Sequence, residues 1–434
     1  MAAIGRGLMI AAARSGAGKT MLTIGLQRAL TRSGLIISGA KAGPDYIDPG
    51  FHAVATGRSS INLDGFAFDP ATLLAMAAQA ARGTDLVVAE GAMGLYDGLS
   101  ADDRGGASAS VAAALGWPVI LVLDAAGSAQ SVAAVAHGLA NFPGAPAIAG
   151  AIVNRVASPR HRRMIQAGFA RIAIPLLGAV PVDERLAMPS RHLGLVQACE
   201  DAELGARIEA MADVVAEHCD LAAIAAAGGV TQDAALPKLR LRPPGQRIAI
   251  ARDDAFAFLY PHLVTAWRQA GAELVWFSPL ADQSPPQECD ACWLPGGYPE
   301  LHLGRLAANR GFLDGLRNFA ATRPVHGECG GYMVLGRTLE DANGQTHAMA
   351  GLLPVDTSFA RRKLHLGYRR ATWRRDVGFA RRGETSWGHE YHHSTLVETD
   401  DATLADMADG ESNPLPPAGH AIGLVTGTYF HTIA

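Results

Sequence analysis

The chain has 434 residues, of which 49% are hydrophobic and 18% charged, and 49 are glycine. That length exceeds what one hydrophobic core usually holds, so two domains of about 200 residues are expected, and the composition excludes a disordered or fibrous chain. A net charge of −4 gives no basic field for nucleic acid or anionic lipid, so neither is expected as a partner.

The five cysteines, Cys199, Cys219, Cys289, Cys292 and Cys329, are sparse and odd in number. They argue against a disulfide framework and for a reducing, cytoplasmic setting. Cys289 and Cys292 form a CxxC, but no second ligand pair lies near it and the segment runs directly into strand-like residues, which disfavours zinc. The apolar residues after Arg6 have the look of a short signal peptide. Cleavage there would destroy the phosphate loop that follows, so the reading is set aside.

From the start to about residue 182 one pattern repeats: a short β-branched run, a turn with Gly or Asp, then an Ala-rich helical stretch. The runs are 8–12, 35–40, 86–90, 118–124, 148–154 and 176–180. Alternating strands and helices imply an α/β fold, a doubly wound parallel sheet with helices on both faces, and near-continuous apolar runs fit strands buried on both sides. Residues 226–246 collect Gly and Pro without periodicity and read as a linker. The expected domains are therefore 1–225, the linker 226–246, and 247–434. In the second domain, residues 247–251, 273–277, 291–295 and 324–327 are strand-like, with a helix expected over 255–269. The last hundred residues look more mixed, with antiparallel pairs expected around 365–373 and 422–430.

Ser15-Gly16-Ala17-Gly18-Lys19-Thr20 follows the first strand and opens a helix, the setting a phosphate loop requires. Small residues let successive N–H groups curl around phosphate oxygens, Lys19 neutralises charge and the Thr20 hydroxyl reaches Mg²⁺. Ala13 stands where the strict motif has its first Gly. ATP is the expected nucleotide, with Gly16, Ala17, Gly18, Lys19 and Thr20 binding its phosphates. Acidic residues cluster near neighbouring strand ends, where ligands of open α/β sheets bind. Mg²⁺ takes one or two carboxylates beside phosphate oxygens, which makes Thr20, Asp48 and Glu90 its candidate ligands. Asp45 and Asp97 join them as functional candidates, whereas Asp124 reads equally well as a cap. Asn154 ends a strand with an amide able to pair with the donor and acceptor edge of adenine.

His326-Gly327-Glu328-Cys329-Gly330-Gly331 places a cysteine on a strand-to-helix turn flanked by glycines, the backbone of a nucleophile elbow, where a helix N-terminus is expected to favour the thiolate. His431, four residues from the end, is the candidate base. The Gly296-Gly297 turn offers oxyanion donors, giving Gly297 and Gly330 as the expected pair. Gly388-His389-Glu390-Tyr391-His392-His393-Ser394 has the density of a metal site, but neighbouring histidines on a strand point to opposite faces, so a pocket wall or domain interface is favoured.

Taken together, residues 41–49, 90–98, 326–333, 388–394 and 427–431 resemble, over nearly the whole chain, the cobyrinic or hydrogenobyrinic acid a,c-diamide synthases of cobalamin biosynthesis. The resemblance implies a dethiobiotin-synthetase-like P-loop domain joined to a class I glutamine amidotransferase domain. Mg·ATP is then held at Lys19 and Thr20. Asp45, Asp48, Glu90 and Asp97 shape the metal and substrate site, and Tyr46 touches the corrinoid. It implies amidation of two acetate side chains through an acyl phosphate, with ammonia from glutamine. The partners it implies are small molecules, a corrinoid polycarboxylate, glutamine and ATP, with a homodimer among the assemblies allowed. One departure stands out: most class I glutaminases carry His-x-Glu, whereas His431 is followed by Thr432 and Ile433. The third triad member is then absent or supplied from elsewhere, for example by Glu390. Two other readings fit less well: a cobyric acid synthase-like amidase of other corrinoid carboxylates, and a P-loop partner ATPase with a degenerate glutaminase domain.

Overall fold

A computed structural model describes residues 3–99, 105–188, 190–191, 194–195, 197–235, 241–399 and 404–434. The chain divides into two compact units, Met1–Pro237 and Lys238–Ala434.

The first unit is built on an eight-stranded sheet. Seven strands run in the order Ile61–Leu63, Ile37–Ala42, Leu86–Glu90, Ala3–Ala12, Val119–Asp124, Ile148–Val156 and Leu176–Pro181. All the pairings along that path are parallel. Apolar runs without alternation make strands covered on both faces: Leu8, Ile10, Val88, Val122 and Ile152 are all buried in one cluster. At about 1.5–3 kcal/mol for each large aliphatic side chain, this layer is a principal source of the unit's stability.

Part of the stretch read as linker belongs to this unit. Gly229–Gln232 is a strand that pairs antiparallel with the start of Ala3–Ala12, and Trp117 Nε1 donates to Thr231 Oγ1 at 3.0 Å. A four-residue edge strand carries too little pattern to be recognised beside Gly and Pro.

The second unit has a six-stranded sheet in the order Glu273–Phe277, Arg247–Ala251, Ala291–Leu294, Val325–Glu328, Val425–Thr428, His420–Ile422. The first five strands are parallel and the last pairs antiparallel. The expected antiparallel region around 422–430 is thus a hairpin, His420–Ile422 with Val425–Thr428, whose second strand also joins the parallel sheet. His365–Trp373 pairs with Thr385–His392, which in turn pairs with the terminal His431–Thr432. The helix expected over 255–269 is shorter, Pro261–Gln269. Proline lacks an N–H and favours the first helical turn, and it holds the preceding residue extended, as seen at Tyr260. Cys289 and Cys292 are both buried and free. No described helix is long and apolar enough to cross a membrane.

Candidate active sites

In the first unit, the strand Ala3–Ala12 ends in the phosphate loop, and the helix Lys19–Arg32 begins directly after it. Gly18 sits at φ +90°, where a Cβ would also lie 2.1 Å from Asn154 Nδ2, so only glycine fits. Asn154 is 6% exposed and its amide donates to Ala17 O at 3.0 Å while its Oδ1 accepts from Arg155 N. The side chain is therefore held against the main chain of the loop and shapes it. Asp124 ties down the same region by accepting from Arg14 and Arg155, both at 2.6 Å.

Glu90, Thr20 and Asp48 converge here. Thr20 Oγ1 donates to Glu90 Oε1 at 2.6 Å. Lys41 Nζ donates to the same oxygen at 2.9 Å and forms a second ion pair with Asp48. His52 Nε2 lies 3.1 Å from Glu90 Oε2, and its Nδ1 3.3 Å from Ser60 Oγ. Lys19 Nζ donates to Met93 O at 3.3 Å. Asp45 Oδ1 accepts from the N–H groups of Ile47 and Asp48, shaping the turn that opens the helix Asp48–Thr56, and Tyr46 beside it is half-buried. Asp97 accepts from Gly94 N at 2.9 Å and closes the loop after Glu90.

The charges are strongly coupled. Burial alone would raise the Glu90 carboxyl, but Lys41, His52 and Lys19 outweigh it and hold it below the ordinary carboxylate range. Burial acts the other way on Lys41, where Asp48, Glu90 and Asp45 prevail and keep the ammonium protonated. Asp48 is pushed well above the usual range by burial and by its neighbours Asp45 and Glu90. Burial lowers Lys19 despite the pull of Glu90. Lys41 thus bridges two carboxylates. Among the described residues no group of three His, Cys, Asp or Glu side chains is arranged to hold a metal.

In the second unit, Cys329 stands between the strand Val325–Glu328 and the helix Gly330–Leu335, at φ +45° and ψ −102°. A non-glycine residue held in that region carries of order 1–3 kcal/mol of strain, the backbone expected of a nucleophile elbow. The turn is close-packed: a Cβ at Gly331 would lie 2.0 Å from Leu294 O. Gly297 N lies 3.1 Å from where a Gly330 Cβ would stand, so the two glycines expected as oxyanion donors are neighbours. His431 joins them. A Cβ on Gly296 would meet His431 Cε1 at 2.4 Å and Cys329 Cβ at 3.4 Å.

Cys329 is 3% exposed. Burial lifts its thiol well above the ordinary value, with Glu300, Glu328 and Glu390 adding to the rise and the Gly330 N–H opposing it. The six-residue helix does not outweigh this, so burial favours the thiol over the thiolate expected from the motif. Burial, together with His389, pushes the His431 imidazole well below its ordinary value. A neutral imidazole is the form that accepts a proton. The histidine-rich segment contributes His389, whose ring stacks on His431 with centroids 4.9 Å apart, and His392, which stacks on Tyr429 at 3.7 Å.

Sequence reasoning left Lys41 and His52 without roles. One signal was available, because Asp48 and His52 are four apart and share a helix face; Lys41 at a strand end gives none.

Comparison with known proteins agrees with this division. The model described as "CobQ/CobB/MinD/ParA nucleotide binding domain" matches residues 8–196, and "CobB/CobQ-like glutamine amidotransferase domain" matches 247–434. A protein named hydrogenobyrinate a,c-diamide synthase from Rhodobacter capsulatus is 54% identical over 99% of both chains. The chain belongs to the hydrogenobyrinate a,c-diamide synthase family. Members of the same name from Mesorhizobium japonicum, 51% identical over 99% of this chain and 98% of that one, and from Agrobacterium fabrum, 48% identical over 99% of both, extend the likeness. As a member of this family the chain is a glutamine-dependent, amide-forming ligase with a nucleotide-binding domain.

Proposed function

We propose that the chain makes the a,c-diamide of hydrogenobyrinic acid, with glutamine as nitrogen source and ATP as activator, in cobalamin biosynthesis. The observation that carries this is the presence of two complete sites of different chemistry, the Cys329–His431 elbow in one unit and the Lys19–Thr20–Glu90 cluster in the other. The substrate is taken from the name that the relatives share, hydrogenobyrinate a,c-diamide synthase.

At the elbow, Cys329 Sγ attacks the carboxamide carbon of glutamine while His431 takes the thiol proton. The N–H groups of Gly297 and Gly330 hold the oxygen that becomes negative. The C–N bond then breaks, and ammonia leaves with the proton that His431 returns. Water hydrolyses the thioester to glutamate and regenerates the thiol.

At the phosphate loop, the backbone of residues 15–20 and Lys19 hold the ATP phosphates, and Asn154 acts by setting the loop's shape. A substrate carboxylate attacks the γ-phosphorus to give an acyl phosphate and ADP. Ammonia attacks the acyl carbon, and phosphate departs. Thr20, Glu90 and Asp48 are all hard oxygen donors, so the cluster fits Mg²⁺ and these three would hold it. When bound, Mg²⁺ neutralises charge on the phosphates. Lys41 pairs with both Glu90 and Asp48 and balances part of their charge. Asp45, Tyr46 and Asp97, on the loops around that cluster, face the corrinoid.

Cys329→Ser tests the scheme. It should abolish amidation from glutamine by more than about a hundredfold and leave amidation from added ammonium chloride intact. Loss of both activities in a folded variant sinks the two-site reading.

A further inference from the structure

Glu328 is a buried acid that the steps above do not use. It ends the strand Val325–Glu328, directly precedes the nucleophile, and is 1% exposed. Its main chain pairs with Thr428, and the N–H of Cys329 donates to Thr428 O at 2.8 Å. Its side chain reaches further along the returning chain, where the N–H of Thr432 donates to Glu328 Oε1 at 2.9 Å. Thr432 follows the base, His431. The acid considered from sequence, Glu390, is differently engaged. It alternates with His389 along the strand Thr385–His392 and so points to the other face, where Arg369 Nε donates to it at 2.8 Å.

We propose that Glu328 is the positioning residue for His431, taking through the Thr432 main chain the part that a triad acid takes through the imidazole. The inference rests on the glutaminase reading of Cys329 and His431. A triad acid orients the ring by bonding its far nitrogen. A carboxyl on the following N–H instead fixes the peptide, and with it the direction of the His431 Cα–Cβ bond. Rotation of the ring is then restrained by its stack on His389, whose Nε2 is 2.9 Å from Tyr260 Oη. One residue thereby sets nucleophile and base together, since it is covalently joined to Cys329 and hydrogen-bonded beside His431. Burial pushes the Glu328 carboxyl up to about 8, so near neutral pH it is mostly uncharged. Its Oε1 accepts from the Thr432 N–H whether or not the carboxyl carries a proton.

The test compares Glu328→Gln with Glu328→Met in the full-length chain, reading kcat and KM for glutamine hydrolysis together with the melting temperature. Gln keeps an acceptor of the same reach; Met keeps the volume and removes the acceptor. The expected result is wild-type kcat and KM for Glu328→Gln. For Glu328→Met, kcat falls by about a hundredfold, the size of effect an ångström-scale misplacement produces, while KM is unchanged. Wild-type kcat in a folded Glu328→Met variant overturns the assignment. So does an equal loss of kcat in both variants, or a Met variant that fails to fold beside a normal Gln variant, which would make Glu328 structural. A wild-type enzyme without glutaminase activity would instead remove the underlying reading and is seen in the same assay.

Discussion

Glu90 has no solvent exposure, yet it stays ionised because Lys41, Thr20 and His52 surround it. Removing Lys41 leaves two buried carboxylates without their common cation. Breaking a buried ion pair from one side costs about 3–5 kcal/mol, so Lys41→Met should lower the melting temperature sharply, and amidation from either nitrogen source should fall with it. A melting temperature at the wild-type value would show the cluster to be less tightly coupled than its geometry indicates. The thiol of Cys329 gives a pH test. Its folded value lies above the ordinary 9.0, so the thiolate fraction should still be rising at pH 9. Alkylation of the Cys329 peptide by iodoacetamide, followed by mass spectrometry, should therefore accelerate from pH 7 to 9 without a plateau. Cys329 and Lys19 were legible in the sequence because each sits in a local motif whose backbone chemistry is written in its own neighbours. Lys41 and Glu328 were not, because Glu90 lies 49 residues from Lys41 and Thr432 104 residues from Glu328, and nothing local marks a strand-end lysine or glutamate as buried.

Among the elements, the terminal strand His431–Thr432 is the shortest with a functional side chain. It is held along its length: Trp387 N donates to Ala434 O at 2.7 Å, Ile433 N to Trp387 O at 2.9 Å, and His262 Nε2 lies 2.9 Å from Ile433 O. Deleting residues 431–434 removes the base and this anchorage, and should silence the glutaminase while sparing ammonia-dependent amidation. Glutamine hydrolysis persisting in that truncation would place the base elsewhere. Sequence periodicity found most of the parallel strands, since runs buried on both faces are apolar throughout, but not the three-residue Ile61–Leu63 or the parallel pairing of Val425–Thr428. It missed the strand Gly229–Gln232, whose place is fixed by pairing with Ala3–Ala12 and by Trp117, neither of which shows in four residues. It overran the start of Pro261–Gln269, where proline sets the boundary more firmly than hydrophobic spacing does.

At the scale of the molecule, each unit carries one candidate site. On the proposed scheme the elbow would liberate ammonia, and the phosphate loop would make an acyl phosphate that needs a nitrogen nucleophile. That division was readable from the motifs, and the matches over residues 8–196 and 247–434 follow it. The identity of the carboxylic acid was not readable from composition or spacing, because Asp45, Tyr46 and Asp97 are residue types that suit many polar substrates. The most direct test incubates the purified chain with hydrogenobyrinic acid, ATP, Mg²⁺ and glutamine labelled with ¹⁵N at the amide. The account predicts a product carrying two labelled amides, with ATP consumed in step. An unlabelled product, or one amidated at a different number of carboxylates, would contradict it.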